Sequence, residues 1–399
     1  MQVADPGSTA YNVPFVSKLQ GNLDADALVA ALTDVVERHR PLRTVHPDSE
    51  RQQVVDASEI ELHVESEPST ENAVGVRVRE LVGRPFDLVT RPPLRVGLFR
   101  TADAAWTLVV VAHHIAFDGG SVAPLLRDLE LAYAARSRAT TPQFAPMPLH
   151  YGDFASWQAA SLGNLDDPSS VGGRQLDYWS DVLAGMPTGP LDLPADRQRP
   201  ARPTHRGGVV QTRIGPEVHA TLLELARSQG VSTFMVQHAV LAVLLARFGG
   251  RNDVTVGTVV DGRPDARLRG LVGMFVGTVA LRTSVDPAEG FTDLLRRVRD
   301  VDLGAFANSD IPFDDVVASL APERNPAHHP VFQILLTHTH GRRHRSACRA
   351  SRSPTTATAC RRHSSTWSGT SPNTPTELAS TFEWCTPWTS SRRRPSSDS

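Results

Sequence analysis

Apolar residues along this chain follow two different periods, and the alternation between the periods predicts a mixed α/β protein. Short β-branched or alternating runs are typical of strands. The predicted strands cover residues 60–64, 94–99, 108–111, 209–214, 254–260 and 331–337. Apolar residues at helical spacing predict helices at 24–39, 122–135, 216–229 and 232–248. Asp24 or Asp26, and Ser232, stand where N-terminal helix caps are expected.

A proline-rich stretch from Pro187 to Gly208 interrupts this pattern and is typical of a linker or crossover. The length of 399 residues is enough for two or three domains with substantial cores. We therefore divide the chain into an N-terminal subdomain of residues 1–165, a C-terminal subdomain of residues 166–340 and a tail of residues 341–399.

Composition and charge exclude several classes of protein. The net charge of −2 gives no reason to expect binding to nucleic acid or to an anionic membrane. No apolar run reaches the ~18 residues that would predict a transmembrane helix. The N-terminus has neither the basic nor the apolar region of a secretory signal. We expect a cytoplasmic protein.

The candidate chemistry lies between Trp106 and Ser121, where a Val-rich strand leads into adjacent histidines, His113 and His114. Asp118 and Gly119 complete the pattern HHxxxDG, and a helix follows. A single histidine after a buried strand is more often structural than catalytic. This spacing, however, combines an imidazole that can take a proton, an acid that can fix the loop and a glycine N–H that can face an oxyanion.

With HHxxxDG, further motifs in the same order resemble the condensation domains of nonribosomal peptide synthetases. These domains are acyltransferases related to chloramphenicol acetyltransferase. The further motifs are RHRPLRT at 38–44, YGDFASWQ at 151–158, LVGMFVGTVALRT at 271–283, DIPFD at 310–314 and RNP at 324–326. Ordered agreement of several motifs is more specific than any one motif, and it extends from about Tyr11 to His340.

The chain departs from the family pattern at two places. Gly277 stands where the family has an asparagine, which removes a side-chain amide expected near the acceptor side of the site. The family's first motif, which normally precedes a sequence such as the YNVP found at 11–14, is absent. We therefore expect the chain to start late relative to the family and to lack part of its N-terminus.

The resemblance implies a fold and a reaction. It implies an α/β (α+β) fold of two chloramphenicol acetyltransferase-like subdomains in a V arrangement, with the active site at their junction. The amine of an acceptor aminoacyl thioester would attack a donor acyl or peptidyl thioester to form an amide bond. Donor and acceptor peptidyl carrier proteins, next to adjacent synthetase modules, would deliver both substrates on 4'-phosphopantetheine arms. We expect no directly bound cofactor and no metal.

The resemblance also implies roles for individual residues. His114 would be the base or positioning group, and the N–H of Gly119 would contact the oxyanion. His113 and Asp118 would hold the loop, with Asp118 buried against an arginine, either Arg43 or Arg263. Arg43 could equally be a basic helix C-terminus that complements the helix dipole. The remaining motif residues Trp157 and Arg282 would have supporting roles.

Three other interpretations remain open. The same motif fits a stand-alone acyltransferase that uses a small alcohol or amine. A non-catalytic recruitment platform of the same fold is favoured by Gly277 and by the missing family segments at both ends, and it is opposed by the intact second histidine, His114. The chain could also be an inactive fragment of a damaged gene. A heterocyclisation domain is excluded, since it would carry DxxxxD in place of HHxxxDG.

The tail after about Gly341 is rich in arginine, serine and threonine and has no apolar period, which predicts disorder. Its cysteines and histidines match no zinc-binding spacing; they are Cys348, Cys360, Cys385, His344 and His363. The strong excess of arginine over lysine in the chain indicates GC-rich coding DNA. Back-translated with GC-favouring codons and read one base out of register, residues 365–391 give an alternating strand–turn–strand pattern, so we also hypothesise a frameshift.

Overall fold

The structure is a computed structural model that describes residues 7–48, 51–187, 189, 191–197, 200, 208, 210–320 and 328–339. Its described residues form two compact units. The first unit contains the residues up to Trp157 together with the segment Arg263–Phe275. The second unit contains Gln158–Gly262 and the described residues from Val276 onward.

The first unit is built on a four-stranded sheet in the order β1-β6-β5-β4, in which only β4 and β5 are parallel. The strands of this sheet are β1 (Asn12–Gln20), β4 (Glu61–Glu65), β5 (Leu94–Ala102) and β6 (Ala105–His113), and a separate two-stranded sheet consists of β2 (Thr44–Val45) and β3 (Gln53–Val54). The helices of this unit are α1 (Ala25–Arg38), α2 (Glu71–Gly83) and α3 (Val122–Arg136), and α4 (Tyr151–Leu162) continues past the division between the units. Short 3-10 helices cover Arg40–Arg43, Ala57–Glu59, Gly119–Ser121 and Ala266–Gly270.

The interior strand β6 explains the continuous apolar run found in the sequence. Leu108 and Val110 belong to the core cluster that contains α1 and α3. Val109 and Val111 belong to another cluster, formed with the helix α2. A strand that is covered on both faces has no polar positions to alternate with its apolar ones. Alternation also places His113, the last residue of β6, on the face of Val109 and Val111.

The second unit has a three-stranded sheet in the order β8-β7-β9, with β7 antiparallel to β8 and parallel to β9. One apolar cluster joins α6, α7 and α8 to β7, and a second joins α5 and α9 to β8. The helices are α5 (Val171–Leu183), α6 (Pro216–Gln229), α7 (Thr233–Gly249), α8 (Phe291–Ala307) and α9 (Phe313–Leu320). The strands are β7 (Asp253–Val260), β8 (Gly277–Ser284) and β9 (Leu335–Leu336).

Most of the predicted elements are confirmed. Asp24 caps α1 by accepting from the N–H of Ala27, and Ser232 caps α7 by accepting from that of Met235. The strand predicted at 331–337 is reduced to the two residues of β9.

The strand predicted at 209–214 is wrong over its described part, 210–214. Val210 is exposed, and the described residues around it have no neighbouring strand, so alternation alone does not form a ladder there. The RNP motif at 324–326 and the predicted tail beyond 341 lie outside the described residues.

The helices of the two units differ in length and apolar composition, the two properties that a membrane-spanning helix requires. Within the described ranges, no single helix is both long and apolar enough to cross a membrane. The helices α6 and α7 meet that test only together, as a pair bent by 103°.

Candidate active site

The loop from His113 to Ser121 connects β6 to α3, and backbone hydrogen bonds from two directions fix its start. The N–H of His113 donates to the carbonyl of Pro93 at 2.9 Å. The N–H of His114 donates to the carbonyl of Tyr11 at 2.8 Å. The backbone positions of both histidines at the end of β6 are therefore fixed.

His113 is a buried, neutral histidine. Its side chain is close to the rings of Tyr11 and Phe86, and the whole residue is only 7% exposed. Its Nδ1 accepts a hydrogen bond from the N–H of Ile115 at 3.1 Å, so Nε2 carries the proton of the neutral ring. Burial, with a smaller effect of nearby histidine and arginine side chains, lowers the pKa of His113 from 6.5 to about 4. This residue therefore braces the loop.

His114 has a different environment one residue later. It is half-buried, and its ring makes no hydrogen bond with any residue in the described part of the chain. A neutral imidazole has one nitrogen that can accept a proton and one that can donate. Of the two histidines, His114 is the one whose ring nitrogens are available for chemistry.

Asp118 lies within this loop, and its side chain is buried, with only 1% of the residue's surface exposed. Arg263 donates to both of its carboxylate oxygens, from Nη1 to Oδ2 at 2.8 Å and from Nη2 to Oδ1 at 2.7 Å. The N–H groups of Ser121 and Phe275 donate to the same carboxylate, each at 2.9 Å. Burial raises the pKa of this carboxyl, but the hydrogen bonds and charge of Arg263 and the backbone N–H groups outweigh burial and lower it. Asp118 is thus an ionised structural anchor.

Ser121, which the sequence interpretation missed, joins this network. Its Oγ accepts from the N–H of Gly273 at 3.0 Å and from Arg263 Nη2 at 3.1 Å. Ser121 and Asp118 also form a capping box around the 3-10 helix Gly119–Ser121. The acid–x–x–serine spacing of a helix N-terminus was the signal that could have identified Ser121. Through Asp118 and Ser121, the loop is bound to the segment Arg263–Phe275.

Gly119, the last residue of the HHxxxDG motif, and Gly120, which follows it, are glycines for different structural reasons. Neither has a left-handed φ, so the backbone conformation does not require glycine at either position. A Cβ on Gly120 would lie 2.8 Å from Cζ of Arg263, whereas one on Gly119 would meet nothing within 4 Å. Gly120 is therefore needed for the close approach of Arg263. Gly119 begins the 3-10 helix, so its N–H has no acceptor within that helix.

Sequence similarity assigns the chain that carries this site to a protein family. The profile of the condensation domain matches residues 1–353. The chain belongs to the condensation domain family. Its curated relatives include the dimodular nonribosomal peptide synthase of Bacillus subtilis (strain 168), which is 43% identical over 334 residues. That match takes in 82% of this chain but only 14% of the synthase's length. The isonitrile lipopeptide synthase of Mycobacterium tuberculosis is 42% identical over 332 residues, which are 82% of this chain and 13% of that synthase.

Solved structures support the same fold. The X-domain from teicoplanin biosynthesis is 33% identical, with a TM-score of 0.76 over 82% of this chain and 72% of the other. The X-domain in complex with OxyB gives 32% identity and a TM-score of 0.77, over 83% and 73% of the two chains. These likenesses confirm the predicted α/β class and the chloramphenicol acetyltransferase-like fold of this condensation domain.

Arg43 does not pair with Asp118. Its Nη1 donates to the carbonyl of Val55 at 2.5 Å, and its Nη2 donates to that of Glu37 at 3.2 Å. Arg43 thereby fixes the turn after α1, and Arg263 is the arginine that neutralises Asp118. Of the two candidates named from the sequence, Arg43 is the wrong one.

The other predicted supporting residues lie outside the Asp118 network. Trp157 is 56% exposed, and its ring is 6.0 Å from that of Phe154. Arg282 on β8 pairs with Asp253 on β7 at 2.7 Å and donates to backbone carbonyls at the end of α5. A Cβ on Gly277 would lie 3.0 Å from the side chain of Val260.

The site consists of a histidine, His114, on a loop that hydrogen bonds and an ion pair hold in place. Across the described ranges, no group of three or more metal-ligating side chains comes together. The arrangement offers His114 for proton transfer or positioning, Gly119 for a backbone donor, and the pair of Asp118 and Arg263 as their support.

Proposed function

We propose that this condensation domain joins a donor acyl or peptidyl thioester to the amine of an acceptor aminoacyl thioester, with His114 as base or positioning group. The observation that carries the proposal is the half-buried His114 ring without a hydrogen-bond partner in the described residues, on a loop anchored through Asp118 and Arg263. Its similarity to the dimodular nonribosomal peptide synthase of Bacillus subtilis supports the proposal. We include in the proposal that peptidyl carrier proteins of the synthetase deliver both thioesters on 4'-phosphopantetheine arms.

The reaction requires one new C–N bond and one proton transfer. The amine attacks the thioester carbonyl, the oxygen takes up negative charge, and the C–S bond then breaks to release a thiol. An α-amine has a pKa of ~7.7, so much of it is already nucleophilic near neutral pH. The proton that the nitrogen loses can pass through His114 to the departing sulfur. Most of the catalysis then comes from positioning, with a smaller share from proton transfer.

The other residues of the motif have supporting parts in this proposal. The N–H of Gly119 stabilises the developing oxyanion, since it has no acceptor within its own helix. His113 and Asp118 remain structural, because burial keeps one neutral and ion pairing keeps the other charged.

The test is a single-turnover assay of the 399-residue chain with donor and acceptor aminoacyl carrier proteins. Dipeptidyl thioester is followed by mass spectrometry for the wild type and for His114→Ala. Loss of general-base help costs ~10²–10⁴-fold in rate, and a partly neutral amine favours the lower end of that range. We expect His114→Ala to be about 100-fold slower.

A histidine on another element provides the control. His219→Ala, on α6 in the second unit, should react at the wild-type rate. Full retention of peptide formation by His114→Ala would remove that residue from the mechanism. Absence of product from the wild type with several aminoacyl pairs would reject the condensation reaction itself.

One observation favours a second function, that of a recruitment platform. The X-domain that is 32% identical to this chain is in a complex with OxyB. Calorimetric titration of the chain with OxyB, alongside the peptide-forming assay, separates the two functions. Binding without peptide formation would support the platform, whereas peptide formation that requires His114 supports the enzyme.

A further inference from the structure

Tyr151, the first residue of α4, touches the backbone that holds Asp118. Its hydroxyl donates to the carbonyl of Met274 at 2.7 Å. Its ring meets that of Phe275 edge-on, with the centroids 5.1 Å apart. Both contacts fall on the end of the segment that carries Arg263.

Gly273 brings the tyrosine ring directly onto this backbone. A Cβ at position 273 would lie 3.0 Å from Cε2 of Tyr151 and 2.9 Å from Cε2 of Phe275. Since φ of Gly273 is not left-handed, this crowding is what requires glycine there. The residues 273–275 are therefore packed against Tyr151 without an intervening side chain.

The same residues face the catalytic loop with their N–H groups. Gly273 donates to Ser121 Oγ at 3.0 Å, and Phe275 donates to Asp118 Oδ2 at 2.9 Å. Tyr151 holds residues 273–275, and residues 273–275 in turn hold the loop that begins at His113.

One peptide unit connects the two contacts. The carbonyl of Met274, which accepts from Tyr151, and the N–H of Phe275, which donates to Asp118, belong to the same planar peptide group. A hydroxyl that fixes the carbonyl therefore fixes the direction of the N–H. Hydrogen bonds in such a chain also polarise and strengthen one another.

We propose that Tyr151 is a positioning residue for His114, acting through the Met274–Phe275 peptide and Asp118. The proposal rests on the condensation activity proposed above. It adds a residue of the aromatic YGDFASWQ motif to the support of the catalytic loop.

The first measurement separates positioning from substrate binding. Tyr151→Phe keeps the ring against Gly273 and Phe275 and removes only the hydroxyl. We expect kcat for the dipeptidyl thioester to fall about fivefold, which is the effect of losing one hydrogen bond from the aligned state. The KM for each aminoacyl carrier protein should stay unchanged, because no substrate contact is altered.

Tyr133→Phe is the matched control in the same unit. The hydroxyl of Tyr133 accepts from the N–H of Asp24 at the start of α1, so its loss also removes a hydroxyl hydrogen bond. This variant should keep the wild-type kcat. An equal fall of kcat in both variants would overturn the proposal.

A second arm does not depend on catalysis. In Tyr151→Phe, deuterium exchange of peptides covering 271–276 should rise severalfold, and the ring-nitrogen resonances of His114 should shift in protein labelled with ¹⁵N-histidine. Tyr133→Phe should change neither. If the wild type makes no peptide, the condensation proposal fails and this arm still decides the present one. Unchanged His114 resonances in Tyr151→Phe would overturn the positioning role, even with faster exchange.

Discussion

Two adjacent histidines differ because one ends a strand and the other begins a loop. The strand alternation that buries Val109 and Val111 also buries His113, between aromatic rings. His114 follows the end of the strand, and its side chain is only half-buried. The chemical roles of the pair thus depend on where β6 ends.

The buried neutral His113 should make the stability of the protein depend on pH. Its folded-state pKa of about 4 lies below the ordinary value of 6.5, so between those values the unfolded chain binds a proton that the folded chain does not. Stability is therefore fully present above pH 6.5 and falls as the pH is lowered toward 4. Between pH 7 and pH 5 the loss from His113 alone is about 2 kcal/mol.

His113→Phe isolates this contribution from that of the other buried histidines. The variant places an apolar ring between Tyr11 and Phe86 and removes the titrating group. In urea unfolding at pH 7 and pH 5, the wild type should lose about 2 kcal/mol more than the variant. Equal losses in the two proteins would show that His113 is not the group responsible.

How far the site could be predicted also depends on individual residues. That Asp118 would need a cation followed from its position after an apolar strand, because a buried unpaired charge costs several kcal/mol. Which cation it would find did not follow from the sequence. Arg43 and Arg263 are equivalent by charge, and only the fold directs Arg43 to backbone carbonyls and Arg263 to the carboxylate.

At the scale of elements, the sequence predicted some of those whose signals are local, whereas α2, α5 and α8 were not predicted. The helix α6 has the predicted bounds, 216–229, because Pro216 and Gly230 mark its two ends. The strand β1 was missed, since Pro14 interrupts its apolar pattern. β1 lies at the edge of its sheet, where a residue without an N–H can be tolerated. Edge position is a property of the sheet that a local pattern does not contain.

The turn between β6 and α3 allows a prediction on two neighbouring glycines. Gly120→Ala would push a methyl group against the guanidinium of Arg263 and should destabilise the protein by about 1–3 kcal/mol. Gly119→Ala would place its methyl group in open space and should stay within about 0.5 kcal/mol of the wild type.

Urea unfolding of both variants at one pH measures this difference. Gly119→Ala serves as the control, since it makes the same chemical change one residue earlier in the same 3-10 helix. Equal destabilisation by the two substitutions would mean that Gly120 is required by the loop backbone and not by the approach of Arg263.

At the scale of the whole molecule, the chain returns to its first unit after a long excursion. Arg263 follows Asp118 by 145 residues, yet the segment Arg263–Phe275 belongs to the same compact unit as the loop. Domain boundaries drawn as continuous ranges do not represent such a return. The apolar residues of the segment Arg263–Phe275, such as Leu271 and Phe275, give no sequence signal that shows which of the two units they pack in.

This return makes the effect of an Asp118 substitution long-range in sequence. Asp118→Ala leaves Arg263 buried without its carboxylate and should lower the free energy of unfolding by about 3–5 kcal/mol. Asp103→Ala is the control, because the fully exposed Asp103 pairs with Arg100 on the surface of the same unit. An exposed pair contributes only about 0–1 kcal/mol. Urea unfolding of both variants measures the difference, and the peptide-forming rate of Asp118→Ala should fall as well.

Deuterium exchange then shows which parts of the chain lose protection when Asp118 is replaced by alanine. In Asp118→Ala, the N–H of Phe275 loses its acceptor and Arg263 loses the carboxylate with which it pairs, so exchange should rise in peptides from 263–275 as well as in the loop. Peptides from β8, which is held by its own ladder with β7, should keep wild-type exchange and serve as the internal reference. A rise confined to the loop would mean that the segment is held without Asp118. A fully stable but inactive Asp118→Ala would move Asp118 from the support of the loop into the chemistry.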